Sequence, residues 1–204
     1  MRDAAATRRR LLDAATEEFA AHGIAGARVD RIAAAARSNK AQMYGFFGSK
    51  DGLFDAVLAE HFELIVNAAP LDGADLPGYA TALYDAYLEH PQVVRLATWC
   101  RLERHPSGDL FADGADHSAH KVAVVAAAQQ DGHVDPTLDP ADVLSVVIAM
   151  AMAWSPASIL IAAAAHEPVA VHERRRQGLA TAVRRAFASQ RAVKTYAPQG
   201  EDPG

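Results

Sequence analysis

Helix-forming residues dominate this chain, and runs in which β-branched residues alternate with polar ones are missing. Alanine recurs throughout the 204 residues, and alanine is the strongest helix former. Strands would instead show a period-two alternation of apolar and polar residues. Half of the residues are hydrophobic, which is enough to form a core. The sequence therefore predicts an all-α protein.

Apolar residues recur at helical spacing in nine segments, which are separated by glycine, proline and polar stop signals. Asn39 and Ser49 are predicted N-caps because their side chains accept hydrogen bonds from a helix N-terminus. The predicted helices cover residues 7–22, 29–36, 40–46, 50–69, 78–90, 92–104, 114–131, 139–166 and 168–190.

The predicted eighth helix contains an uncharged stretch, residues 143–165, that is long enough to span a bilayer. The stretch is mostly alanine with several serines, and it lacks lysine and arginine at its ends. We therefore expect no membrane span but a helix packed between protein layers, kinked at Pro156.

Charge is distributed unevenly along the chain. Residues 1–50 carry nine Lys/Arg and five Asp/Glu, whereas residues 51–204 carry eleven and twenty. A basic segment on an acidic body fits a surface that meets a polyanion, although chance clustering of surface charge gives the same imbalance. The single cysteine, Cys100, forms no internal disulfide, and the N-terminus lacks a signal-peptide pattern. Both features favour a cytoplasmic location.

The stretch KAQMYGFFGSK, residues 40–50, forms a short polar helix that begins three residues after another helix ends. Two short helices joined in this way form a helix-turn-helix unit, whose second helix lies in the major groove of DNA. Met43 and Phe47 provide an apolar side for docking on the first helix. The outward side is provided by Lys40, Ala41, Gln42 and Tyr44. Spacing alone does not establish the motif, because short helix pairs are common.

A longer pattern extends this motif over residues 7–58 and covers about a quarter of the chain. It comprises Thr7, Arg8, Ala14, Ala15, Phe19, Gly23, Val29, Ile32, Ala33, Tyr44, Phe46, Phe47, Ser49, Lys50, Asp51, Leu53 and Phe54. The segment resembles the N-terminal DNA-binding domain of the TetR family of transcriptional regulators. The resemblance implies a helix-turn-helix domain over residues 1–50 and a ligand-binding and dimerisation domain over 51–194. The polar residues 195–204 are expected to form a frayed tail.

This chain departs from the family pattern at four places, one of which is Phe46, where the family frequently has tyrosine or histidine. Arg37 stands where the family usually has a turn glycine, so either a non-glycine residue adopts the left-handed conformation, at a cost of roughly 1 kcal/mol, or the turn takes another shape. Ala27 and Arg28 replace hydroxyl residues, so the second helix is expected to lack a hydroxyl N-cap. Gln42 replaces a frequent threonine, and glutamine can pair with adenine through two hydrogen bonds.

The motif and the resemblance together assign roles to eight residues, with a solvent-exposed helix face as the alternative. Lys40 and Gln42 are the candidates for base-edge contacts, and Ala41 lies beside them. Tyr44 and Lys50 are the candidates for phosphate contacts. Second candidates for phosphate are Arg28, Arg37 and Asn39.

The resemblance also implies a homodimer, formed by the last two long helices, that binds a palindromic double-stranded DNA operator and is released by a small-molecule effector. A repressor is the expected function. The candidates for an effector cavity, with core packing as the alternative for each, are His61, Phe62, Ile65, Tyr84, Tyr87, Trp99, Cys100, Met150 and Trp154. We expect Arg174, Arg175 and Arg176 to form a solvent-exposed face or to pair with acidic residues, rather than to bind DNA.

The main alternative is a helical metal-binding or small-molecule-binding protein without DNA recognition. His117 and His120 lie three residues apart, near Asp113, Asp116 and His133, although a closed zinc site needs four ligands of defined geometry. No hydrolase, phosphate-loop or metalloprotease motif occurs. We therefore predict that the chain is not an enzyme and needs no cofactor.

Overall fold

The computed structural model describes residues 2–104, residue 110 and residues 117–189. Within these ranges the chain forms helices and no strand, apart from an isolated bridge between Val134 and Ala188, so the all-α prediction is confirmed. The predicted tail, residues 195–204, lies outside the described residues. The helices are α1 (Arg2–Gly26), α2 (Val29–Ala35), α3 (Lys40–Phe47), α4 (Lys50–Ala68), α5 (Leu76–Glu89), α6 (Pro91–Arg104), α7 (His117–Gln130), α8 (Pro140–Ala151) and α9 (Val169–Phe187).

The eighth helix is much shorter than predicted, and the prediction of a helix over residues 139–166 is wrong in its second half. After α8 the chain makes a 3₁₀ turn, Met152–Trp154. Ser155 then adopts an extended conformation, with φ −72° and ψ 171°, because the residue before a proline is disfavoured in the helical region. Pro156 therefore ends the helix instead of kinking it, and residues 155–168 form a non-helical connection to α9. None of the helices in the described ranges is long and apolar enough to cross a membrane.

The first of two hydrophobic cores lies among α1, α2, α3, the first half of α4 and one face of α6. Phe19 of α1 and Phe54 of α4 are fully buried at its centre, where their rings meet edge to face with centroids 5.2 Å apart. The other large members of this core are Leu11, Leu12, Ile24, Ile32, Met43, Leu53, Val57, Leu58, Leu96 and Cys100.

The second core lies among α5, α7, α8 and α9, and the end of α4 reaches it through Ile65. Its fully buried members include Leu83, Val125, Val147 and Val183. Because α4 contributes Leu53 and Phe54 to the first core and Ile65 to the second, one helix connects the two halves of the molecule.

The turn between α2 and α3 holds Arg37 in the left-handed region, with φ 49°. The Arg37 N–H donates to the Ala34 carbonyl at 3.1 Å, and the Ser38 N–H donates to the Ala33 carbonyl at 2.9 Å. These two bonds define a Schellman helix end, whose left-handed position is usually glycine. Of the two expected turn shapes, the one with a left-handed Arg37 is therefore confirmed.

Replacing Arg37 with glycine should stabilise the protein by about 1 kcal/mol, because glycine adopts a positive φ without the steric cost of a Cβ atom. Arg37→Ala keeps the Cβ atom and is the matched control, so it should not show this gain. Urea denaturation measures the free energy of unfolding of each variant. Equal stability of the two variants would contradict backbone strain at this position.

Candidate nucleic-acid interface and internal cavity

Helix α3 is fixed from one side and exposed on the other. Met43 is fully buried in the first core, and Phe47 is half-buried with the Arg8 guanidinium 5.3 Å from its ring centre. The opposite side carries the four side chains predicted to face outward, and all are exposed: Lys40, Ala41, Gln42 and Tyr44. The structure thus brings the predicted outward residues onto one rigidly held surface.

Local hydrogen bonds set the start of α3 and hold two of its polar side chains. Asn39 caps the helix as predicted, since its side-chain oxygen accepts from the Gln42 N–H at 2.9 Å. The Ser38 hydroxyl donates to Gln42 Oε1 at 2.7 Å. Lys40 Nζ lies 2.8 Å from Asp30 Oδ1 of α2, and this hydrogen bond raises the pKa of Lys40 above its usual value. Lys40 and Gln42 are therefore oriented before any partner arrives.

The N-terminus of α2 lacks a side-chain cap at Arg28, as predicted. The Arg28 N–H instead donates to Glu18 Oε1 of α1 at 2.8 Å, and Arg31 Nε donates to the same carboxylate at 2.8 Å. Burial raises the pKa of Glu18, but the hydrogen bonds from Arg31 and Arg28 outweigh burial and lower it overall. The side chains of Arg28 and Arg37 are exposed.

Lys50 follows the N-cap Ser49, whose hydroxyl accepts from the Gly52 N–H at 2.9 Å. The half-buried Lys50 ammonium donates to the carbonyls of Ala25 and Ala27, at 3.4 and 3.3 Å. Lys50 thus connects the start of α4 to the end of α1. An ammonium group has three donors, so these two bonds leave one for another acceptor.

A cavity of about 160 Å³ lies where α5, the start of α6, the end of α8 and the connection after α8 meet. Three of the nine predicted cavity residues, Tyr84, Tyr87 and Trp154, line it. Burial raises the pKa of Tyr87 to about 12. The remaining lining residues are Leu88, Pro91, Ala151, Ser155, Pro156, Ala163, Ala164 and Ala165.

Polar groups of α9 support the aromatic wall of this cavity. The Tyr84 hydroxyl and His172 Nδ1 share a hydrogen bond of 2.7 Å, and Tyr84 meets the Trp154 ring edge to face at 5.9 Å. The buried Arg175 guanidinium lies 5.8 Å from the Trp154 ring centre. Arg175 also donates to both carboxylate oxygens of Glu167, at 2.6 and 3.0 Å, and these bonds lower the pKa of Glu167 to about 2.

The arginine cluster of α9 pairs with acidic residues, as predicted, through two of its members. Arg175 binds Glu167, and Arg176 Nε donates to Asp85 Oδ1 of α5 at 2.9 Å. Glu167 Oε2 also accepts from the Ala164 N–H at 2.9 Å. These contacts connect α9 both to α5 and to the chain segment that lines the cavity.

Six predicted cavity residues lie outside this cavity, because helical spacing shows that a residue is apolar but not which neighbour its helix packs against. Trp99 and Cys100 lie on the side of α6 that faces the first half of the molecule: Trp99 Nε1 donates to the Ala20 carbonyl at 3.3 Å, and Cys100 belongs to the first core. His61 Nε2 lies 3.0 Å from the Thr16 hydroxyl of α1. The other three are Phe62, which is half-buried, Ile65, which is buried in the second core, and Met150, which packs against that core.

Sequence reasoning did not select His172, Arg175 or Glu167 as part of the site. A signal existed, because His172, Arg175, Leu179 and Val183 recur on one face of α9 and all are buried. A histidine and an arginine in register with buried apolar residues indicate a polar contact inside the protein.

The metal-site alternative gains no support from the described parts of the chain, where no group of three or more His, Cys, Asp or Glu residues is placed to hold an ion. His120 and His133 are both exposed. Asp113, Asp116 and the side chain of His117 lie outside the described residues.

Comparisons with known proteins cover both halves of the chain. Residues 11–57 match a family model described as bacterial regulatory proteins, tetR family, and residues 75–185 match one described as tetracyclin repressor-like, C-terminal domain. The HTH-type transcriptional repressor SCO4008 of Streptomyces coelicolor is 40% identical over 152 residues, which cover 74% of this chain and 79% of that protein.

Solved structures give the same fold. The putative transcriptional regulator SCO4942 of Streptomyces coelicolor has 41% identity and a TM-score of 0.74, covering 89% of this chain and 98% of that one. AibR, solved in complex with isovaleryl coenzyme A and operator DNA, has 18% identity and a TM-score of 0.62, covering 86% of this chain and 97% of that one. At this lower identity, the likeness to AibR concerns the fold alone.

Tyr84→Phe should lower the free energy of unfolding by about 1–3 kcal/mol, because it leaves a buried histidine nitrogen without a partner. His172 Nε2 is already buried with no hydrogen-bond partner among the described residues, so the variant leaves both ring nitrogens without a partner. Tyr87→Phe removes a hydroxyl from the same cavity wall without breaking the bond to His172, and it should cost much less. Urea denaturation that showed equal losses would contradict the role of the Tyr84–His172 bond.

Proposed function

The chain belongs to the TetR family of bacterial regulatory proteins, and from this premise we propose that it is a one-component transcriptional repressor. It binds a palindromic double-stranded DNA operator in the cytoplasm as a homodimer, and a small molecule releases it. The family is regulatory rather than enzymatic. In this proposal residues 1–50 bind DNA, residues 51–194 bind the effector and dimerise, and residues 195–204 form a tail.

The exposed polar face of α3 is the observation that carries this proposal. The major groove admits one α-helix, and α3 presents Lys40, Gln42 and Tyr44 on the side opposite the buried Met43. We assign base-edge contacts to Lys40 and Gln42. Glutamine pairs with adenine N6 and N7, so Gln42 favours an adenine at one operator position.

Phosphate contacts are assigned to the residues that surround α3. The Tyr44 side chain is 46% exposed, so its hydroxyl is accessible to a phosphate oxygen. Lys50 keeps one donor beyond its two bonds to carbonyls, and that donor suits a phosphate near the N-terminus of α4. Arg28, Arg37, Asn39 and Ala41 are exposed and complete the proposed contact set.

The dimer interface is assigned to the faces of α8 and α9 that turn away from the second core. Small residues on these faces allow two helix pairs to approach closely and form a four-helix bundle with a second copy. The exposed residues are Asp142, Ser145, Val146 and Ala149 on α8, and Gln177, Gly178, Thr181 and Ala182 on α9. A two-fold dimer also presents two copies of α3 to two half-sites, as a palindrome requires.

The effector site is assigned to the cavity beside Tyr84, Tyr87 and Trp154. A largely apolar cavity of about 160 Å³ has room for an apolar group about the size of a benzene ring, so we propose that the effector places such a group there. A molecule bound in the cavity must favour the state of the dimer that is released from DNA. The coupling free energy between two such sites is typically about 1–3 kcal/mol. AibR, whose complex contains isovaleryl coenzyme A and operator DNA, provides a precedent on the same fold for both partners.

Gln42→Ala should reduce the preference for one base pair of the operator by about 1–3 kcal/mol, because it removes a two-bond contact to a base edge. The measurement is binding to the DNA upstream of the protein's own gene and to duplexes that carry single base-pair changes. Tyr44→Phe is the comparison, since loss of a phosphate contact should weaken binding to every duplex alike. Unchanged sequence preference in Gln42→Ala would refute the assigned role of Gln42.

Asp30→Asn should tighten binding to every duplex by about threefold to tenfold at low salt, because it frees Lys40 and removes a negative charge beside the phosphates. Asp131→Asn makes the same charge change in the turn after α7 and serves as the control. Fluorescence anisotropy with labelled duplex measures both variants. If the two variants bound equally, Lys40 would not lie at the DNA surface.

A further inference from the structure

Three consecutive apolar residues project into solvent from the connection between α8 and α9. Ile159 is fully exposed, and the exposed fractions of Leu160 and Ile161 are 88% and 51%. Single exposed apolar residues are common on protein surfaces, but a contiguous exposed run marks an interaction site. We refer to residues 157–162, which contain this run, as the apolar tip.

Hydrogen bonds on both sides of the apolar tip fix its base. The Ser158 N–H donates to the Ser155 carbonyl at 2.9 Å, and the Ala163 N–H donates to the Trp154 carbonyl at 2.7 Å. Glu167 Oε2 accepts a hydrogen bond from the Ala164 N–H at 2.9 Å and also pairs with Arg175 of α9. The apolar tip is therefore presented by a closed loop that is tied to both the 3₁₀ turn and α9.

Charge argues against an anionic partner for this loop. From residue 139 to residue 168 the sequence contains no lysine or arginine, whereas Asp139, Asp142 and Glu167 are acidic. Membrane surfaces and nucleic acids both attract proteins through cationic side chains. The apolar tip thus fits an uncharged, apolar protein surface.

The position of the loop in the chain indicates that the partner surface belongs to a second copy of this chain. The loop joins the end of α8 to the start of α9, the two helices whose outward faces form the proposed dimer interface. Val146 of α8 and Val169 of α9 are also exposed, by 45% and 72%, so each of the two helices that flank the loop carries an exposed apolar side chain. When two copies associate about a two-fold axis, each residue of the shared surface is buried once in each copy.

We propose that the apolar tip is a clasp that packs against a second copy of this chain and extends the α8/α9 interface. This inference rests on the proposed homodimer. It adds a contact that the four-helix bundle alone does not include. Ile159 and Leu160 become buried on dimerisation and supply a large part of its apolar contact.

The test is a double variant, Ile159→Ser with Leu160→Ser, studied by sedimentation equilibrium. The dimer dissociation constant should rise by about 100-fold or more, because four large apolar side chains per dimer no longer become buried. The circular dichroism spectrum should be unchanged, since both side chains are exposed within one protomer. Leu102→Ser is the matched control, because Leu102 is 58% exposed on α6 and should leave dimerisation unaffected.

A second variant, Val146→Glu on the outward face of α8, separates failure of the clasp from failure of the dimer assignment. If Val146→Glu dissociates the dimer and the double variant does not, the clasp is overturned and the α8/α9 interface stands. A parent protein that is monomeric overturns both. If the parent binds vesicles of mixed neutral and anionic phospholipid, and the double variant loses this binding but dimerises normally, the partner is a membrane and the clasp is overturned.

Discussion

The packing of α4 against α1 and α6 is the contact on which the rest of the molecule depends. Phe54 is fully buried, with its ring against Phe19 of α1 and the Arg104 guanidinium of α6 4.8 Å from its ring centre. Arg104 also pairs with Asp51 and Asp55 of α4. Because α3 docks on this assembly through Met43, the direction in which its polar face points is set by α4. A displaced α4 would therefore displace the proposed DNA-binding surface.

The same helix connects that surface to the cavity. Ile65 carries α4 into the second core, which α5 shares, and α5 contributes Tyr84 and Tyr87 to the cavity wall. On the far side of the cavity, Ala163, Ala164 and Ala165 belong to the loop that presents the apolar tip. A molecule that moves this wall therefore moves a segment of the proposed dimer interface. The cavity, the proposed dimer interface and the proposed DNA-binding helix α3 are linked through packed elements rather than through a flexible linker.

Local signals in the sequence predicted the helix-turn-helix well. The caps Asn39 and Ser49 and the buried Met43 follow from the chemistry of a few adjacent residues. The left-handed Arg37 was expected from the resemblance to the family pattern, which has glycine at that position. The end of α8 was predicted wrongly because the alanine-rich stretch after Pro156 has high helix propensity, whereas the proline fixes the preceding residue in an extended conformation. The cavity was predicted only in part, since its lining depends on which face of α6 meets α1. The spacing of His172 and Arg175 with Leu179 and Val183 indicates that both side chains are buried. No local pattern identifies their partners, Tyr84 and Glu167.

The central claim is that two copies of a basic helix-turn-helix module are held by one dimer and bind one DNA duplex. Sedimentation velocity at low ionic strength, with labelled DNA from upstream of the protein's own gene, tests it most directly. Two protomers per duplex are expected, with an association constant that falls as salt rises because phosphate contacts release counterions. A protein that sediments as a monomer with or without DNA, or that does not bind the duplex at low salt, would contradict the claim.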